Sequence, residues 1–116
     1  MRVISQDGTL DVPYDYFSLS MSSGKYKDVE VAYIYCHNLS SPNGTKLAEY
    51  SAEAKAVKAM EMLREQYKAL EILKVLASGA VENMEKALEH DKLIEYNQAY
   101  RDMNVFQFPQ DDEIEV

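Results

Sequence analysis

The sequence predicts an α+β fold: an N-terminal antiparallel β-sheet of about four strands, then a two-helix antiparallel hairpin that oligomerises through its helices. Three observations predict it. Residues 1–50 alternate apolar and polar positions between turn-forming residues. Residues 51–103 switch to apolar spacings of three and four, with one glycine and no proline. Residues 104–116 close the chain as a short tail rich in acids. The chain of 116 residues reads as a single domain made of these parts.

The strands follow in order. Met1 to Ser5 is short and β-branched, and Asp7-Gly8 is a hairpin turn signal. Thr9 to Ser20 carries Leu10, Val12, Tyr14, Tyr16, Phe17 and Leu19. Pro13 lacks an amide donor, so this stretch is expected at a sheet edge or as two strands joined at a bulge. Ser22-Ser23-Gly24 reads as the next turn. Val29, Val31, Tyr33 and Tyr35 then alternate with Glu30, Ala32, Ile34 and Cys36, the clearest strand in the chain. Asn38 to Thr45 reads as loop, and Lys46 to Tyr50 as a short last strand.

Ser51 is the expected N-cap of the first helix, with Glu53 in its first turn where the dipole favours negative charge. Val57, Met60, Leu63, Tyr67, Leu70 and Leu73 make one apolar stripe, and Gly79 sits where a helix-ending glycine belongs. A second helix is expected from Val81 to Met103. A first helix of about 28 residues spans roughly 42 Å. A compact globule of this length has a radius of gyration of only about 13 Å. The helix must therefore project beyond its sheet and find a partner, most simply the second helix and another copy. The alternative is a break near Ala69 that folds the helix back on the sheet.

Hydrophobic residues make up 47% and charged residues 28%, a folding composition. No apolar run approaches ~20 residues, so neither a membrane span nor a cleaved signal is expected. Cys36 is the single cysteine, which excludes an internal disulfide and fits a reducing cytoplasm. The net charge of −8 disfavours binding along a nucleic-acid backbone, although a local basic pocket still suits a small anion.

Catalytic signatures are absent from the sequence. The four glycines stand apart at positions 8, 24, 44 and 79, so there is no phosphate loop, and no Gly-x-Ser-x-Gly elbow or His-Glu-x-x-His occurs. Cys36 and His37 are adjacent on a strand and point to opposite faces, which prevents them from pairing. No enzyme, cofactor or metal is expected. Nine tyrosines suit a core with wet rims, and some also suit stacking on a nucleobase. Residues 97–109 are densest in recognition chemistry. Asn97, Arg101 and Asn104 share a helix face; their amides suit base edges and the guanidinium suits phosphate. Tyr100, Phe106 and Phe108 are the candidate stacking rings, and Lys92, Arg64 and Arg2 are further candidate cations. The bland reading of the same segment is a helix C-terminus closed by an apolar contact. Asp111 to Glu115 reads as a solvated tail, or as an acidic mimic of phosphates that binds a host defence enzyme.

The opening Met1-Arg2-Val3-Ile4-Ser5-Gln6-Asp7-Gly8-Thr9-Leu10-Asp11-Val12-Pro13-Tyr14 resembles that of small phage and prophage proteins of Gram-positive bacteria. So do Leu47-Ala48-Glu49-Tyr50-Ser51, the helix ending Met60-Glu61-Met62-Leu63-Arg64, and Phe106-Gln107-Phe108-Pro109 before the acids. In size and in its sheet-then-helices order the chain is similar to the type-one Thoeris anti-defence family. That resemblance covers most of the chain. It implies a phage protein of the host bacterial cytoplasm that sequesters a cyclic ADP-ribose isomer without cleaving it. It also implies a homo-oligomer, with cyclic oligonucleotides as possible further ligands. The candidate site residues come from the chemistry of this chain.

Overall fold

The computed structural model describes the backbone of residues 1–38, 41–87 and 90–116, and within these the side chains of all but 41, 42 and 76–96. Six strands and two helices run in the order β1 (Arg2–Ile4), β2 (Asp11–Pro13), β3 (Ser18–Tyr26), β4 (Val29–Asn38), β5 (Ser41–Tyr50), α1 (Glu53–Ala87), α2 (His90–Met103) and β6 (Val105–Gln107). The α+β class holds, but the expected single sheet is two sheets of three strands, ordered β2-β1-β6 and β3-β4-β5.

The first sheet brings the two ends of the chain together. β1 pairs antiparallel with β2 and parallel with β6, with Val3 opposite both Val12 and Phe106. The tail thus supplies a strand that the sequence reading left out. The turn at Gly8 has φ +77°, and Ser5 and Asp7 lock it: Ser5 Oγ donates to Asp7 Oδ1 at 2.7 Å and accepts the Leu10 amide at 2.9 Å. Pro13 ends the edge strand β2, and a 3-10 turn over Tyr14–Tyr16 carries the chain to the second sheet.

Two corrections apply to the second sheet. Ser22-Ser23-Gly24 is not a turn; it lies inside β3, which pairs with β4 from Ser18↔His37 to Tyr26↔Val29. The reversal is made by Lys27 and Asp28, both at positive φ (51° and 64°), as a two-residue type I′ hairpin requires. Residues 41–45 are not loop either, because β5 starts at Ser41 opposite Asn38. Gly44 makes that possible: its φ is +84°, and a β-carbon there would stand 2.5 Å from His37 Cε1.

One core joins both sheets to α1. Ala32, Ile34 and Cys36 of β4 and Ala48 and Tyr50 of β5 meet Ala56, Ala59 and Leu63 of α1. Alanines on both sides let the helix lie close to the sheet. Val3, Phe106, Phe108 and Ile114 complete the cluster from the first sheet and the tail.

Helix α1 is 35 residues long, about 52 Å at ~1.5 Å per residue, and the molecule measures 62 × 34 × 21 Å. The expected arm is present without a break at Ala69. It runs on through Gly79 rather than ending there, since one interior glycine costs only about 1 kcal/mol among strong helix formers. α2 is correspondingly shorter than expected and starts at His90. Ser51 is not the N-cap. Its amide and hydroxyl donate to Asp111, and the free amide of Glu53 is taken by Glu30 Oε1 from β4 at 2.9 Å. The tail is not simply solvated: Asp111–Glu113 form a 3-10 turn, Lys55 pairs with Asp111 at 3.1 Å, and Ile114 is buried. No described helix is long and apolar enough to cross a membrane.

Candidate functional site

The expected site clusters around the end of α2, and Gln66 of α1 fixes that end in place. Its Nε2 donates to the Met103 carbonyl at 3.0 Å and to the Val105 carbonyl at 2.8 Å, bridging arm, helix end and β6. Asn104, half-buried, stitches the same point to the first sheet: its carbonyl accepts the Arg2 amide at 2.8 Å. Its amide returns to the Tyr100 carbonyl at 3.1 Å, closing the last turn of α2. Asn104 therefore contributes through its backbone.

Asn97 and Arg101 are exposed one helical turn apart on α2, and Tyr100 is half-buried beside them. Among the described residues Arg101 makes no ion pair, and neither does the exposed Arg64 two residues before Gln66. Arg2 is committed elsewhere, since its guanidinium grips Asp11 across the first sheet. Asp11 holds Arg2 above its ordinary pKa, and Arg2 lowers that of Asp11. Lys74 pairs with Glu71 at 3.3 Å. The side chain of Lys92 lies outside the described residues.

Phe106 and Phe108 are corrected. They are 6% and 1% exposed and pack edge-to-face on each other at 5.3 Å between centroids, within the core. Buried rings offer no face to a ligand, so of the expected stacking set only Tyr100 reaches the surface. The bland reading of this pair, an apolar contact closing the helix end, is what the fold uses.

The sequence reading passed over two features. Gln66 carried no signal beyond being a polar residue near an apolar stripe. The outward face of β4 did carry one: Tyr33, Tyr35 and His37 follow at every second residue. Their rings stand 5.9 and 6.4 Å apart, opposite the small residues Ser22, Ser20 and Ser18 of β3. At one end of that face a groove of about 440 Å³ is walled by Tyr26, Tyr33 and Tyr50 and rimmed by Glu30, Glu49 and Asp111. Desolvation, and then the neighbouring Glu49, push the Tyr33 phenol up. Three carboxylates on the rim make the groove a poor place for phosphate.

Cys36 and His37 do face opposite ways. Cys36 is buried and its thiol is pushed up by burial, while His37 Nε2 meets Ser20 Oγ at 2.5 Å on the outer face. No group of three or more metal-ligating side chains exists among the described residues. No family model, curated protein or solved structure matches the chain.

Proposed function

We propose that the chain is a non-enzymatic binder that sequesters a cyclic ADP-ribose isomer, working as a homo-oligomer in the cytoplasm of a phage-infected bacterium. The observation that carries the reading is the exposure of two arginines, Arg64 on α1 and Arg101 on α2, that make no ion pair among the described residues. A cyclic ADP-ribose carries two linked phosphates, and guanidinium groups bind such anions in two-point fashion. On a chain of net charge −8, two arginines kept out of ion pairs are available to an anion. Asn97 supplies an amide one turn from Arg101, and Tyr100 an aromatic edge. The projecting arm adds exposed apolar surface, with Ile72 53% exposed, for a second subunit to cover and enclose the ligand.

Thermal unfolding with added cyclic ADP-ribose tests the reading. A ligand at about 100 times its Kd stabilises the folded chain by roughly 2.7 kcal/mol, and Arg101→Ala and Arg64→Ala should each diminish that gain. The nucleotide released on heating should be intact. No stabilisation by any cyclic ADP-ribose isomer refutes the binding, and recovery of linear ADP-ribose refutes the absence of turnover.

A further inference from the structure

The two edges of the β3-β4-β5 sheet are treated differently. In a two-residue hairpin the residues flanking the turn, Tyr26 and Val29, form a hydrogen-bonded pair. Alternation then directs the amides and carbonyls of Ser18, Ser20, Ser22 and Gly24 toward β4. Those of Leu19, Met21, Ser23 and Lys25 point away from the sheet. The same alternation, carried across β4, turns Leu47 and Glu49 of β5 outward. There the prediction can be checked, because Gln6 takes those groups. Its amide donates to the Leu47 carbonyl at 2.8 Å, and its side chain accepts from the Glu49 amide and donates to the Glu49 carbonyl, both at 3.0 Å. Gln6 thus covers the β5 edge as a short strand would.

Nothing comparable covers β3. Among the described residues no hydrogen bond reaches its outward amides and carbonyls from another element. The strand also lacks the features that keep an edge from pairing. Ser18–Tyr26 holds no proline and a single charge, Lys25, and its pairing with β4 is uninterrupted by any bulge.

We infer that β3 is the dimerisation edge of this protein, pairing antiparallel with β3 of a second copy about a two-fold axis at Ser22. The occupant follows from the strand itself. Outward-facing residues must meet outward-facing residues, and an axis through Ser22 sets Leu19 against Lys25 and Met21 against Ser23 of the other copy. All four outward positions of each strand are then paired, giving about eight interstrand hydrogen bonds. On the outer face the centre of the seam holds Ser20, Ser22 and Gly24, and at each end the small Ser18 of one strand stands opposite Tyr26 of the other, so no two bulky side chains oppose each other. Lys25 meets Leu19, so no like charges oppose each other. The two sheets become one continuous sheet with both α1 helices on one face and both Tyr33-Tyr35-His37 rows on the other. This pairing does not depend on nucleotide binding, and it places the subunit contact on the sheet rather than on the helical arm alone.

Light scattering on the full chain, with ligand absent, should give twice the 13.3 kDa chain mass. Ser23→Pro removes an outward amide and no bond to β4, at the kind of edge position a sheet tolerates, and should yield a folded monomer. Ser22→Cys brings two thiols face to face on the axis and should give a disulfide-linked dimer on mild oxidation; the wild type, with only the buried Cys36, should not. Hydrogen exchange should show the amides of Leu19, Met21, Ser23 and Lys25 protected at least about tenfold in the dimer. A wild-type monomer overturns the inference, and that result would return the edge to a strand from a different protein. A dimer whose β3 amides exchange freely, or in which Ser22→Cys does not cross-link, overturns it equally, whether or not Ser23→Pro folds.

Discussion

The hydroxyl of Tyr50 donates to the carbonyl of Pro109 at 2.8 Å, tying the last residue of the second sheet to the segment that follows β6. The ring is buried and belongs to the common core. The carbonyl has a second donor, Gln6 Nε2 at 3.1 Å, so losing the phenol does not strand it. Tyr50→Phe should therefore cost only about 1 kcal/mol, whereas Tyr50→Ala should cost roughly 3–5 kcal/mol. Burial, and then Asp111 and Glu113, raise the Tyr50 pKa, so the fold favours the neutral phenol. That contribution is complete below the unfolded value of about 10 and falls away as pH rises beyond it. Urea unfolding between about pH 8 and pH 11 should show an alkaline loss that is smaller in Tyr50→Phe.

Asp7 acts at the opposite end of the pH scale. Hydrogen bonds from Ser5, and then from the Thr9 hydroxyl and amide, lower its pKa to about 2. A carboxylate depressed by folding stabilises the fold above its unfolded pKa of about 3.9, and that stability is lost as pH falls through the folded value. Acid titration of stability should therefore show a loss between about pH 4 and pH 2. Asp7→Asn should flatten that slope; an unchanged slope would mean that the Gly8 turn does not depend on this charge.

Gly44→Ala should be costly out of proportion to one methyl group. The residue keeps φ +84°, and its new β-carbon would meet His37 Cε1 and Nδ1 at 2.5 and 2.8 Å. A penalty of about 1–3 kcal/mol is expected from the backbone alone. The His37 imidazole resonances should shift as the ring leaves Ser20 Oγ.

The arm separates stability from binding. Leu70 is fully buried on α1, and Leu70→Ala should cost about 2–5 kcal/mol. Arg101→Ala, at an exposed position with no ion pair among the described residues, should stay within about 0.5 kcal/mol of the parent in the absence of nucleotide. A large loss at Arg101 in denaturant melts would show that its role is structural.

What the sequence disclosed follows the strength of its local signals. Val29 to Cys36 alternates without interruption and is β4; Asp7-Gly8 supplies a residue able to take positive φ and is a turn. The reversal at Lys27-Asp28 was hidden because neither glycine nor asparagine marks it, and lysine disfavours positive φ. The long β3–β4 ladder imposes that conformation, a tertiary effect that local preference cannot register. Ser41 to Thr45, with a proline and a glycine, has loop composition, and an edge strand accommodates both. At the candidate site, the spacing of Asn97 and Arg101 on one helix was readable. The fate of Phe106 and Phe108 was readable in part: their alternation with Val105 and Gln107 is strand-like and marks one inward face. The partner of that strand, β1, lies at the other end of the chain, beyond the reach of any local pattern.

That pairing has a consequence in time. Gln6 and Pro109, which hydrogen-bond beside β1 and β6, stand 103 residues apart in sequence. The β3–β4 hairpin and the α1 helix need only neighbouring residues and can form within microseconds. The first sheet, whose β1–β2 hairpin is also local, is completed only when nearly the whole chain has been made and β6 has come back beside β1. During synthesis, then, both hairpins, including the β3 edge, can take shape before β6 arrives, and the pairing of the two chain ends comes last.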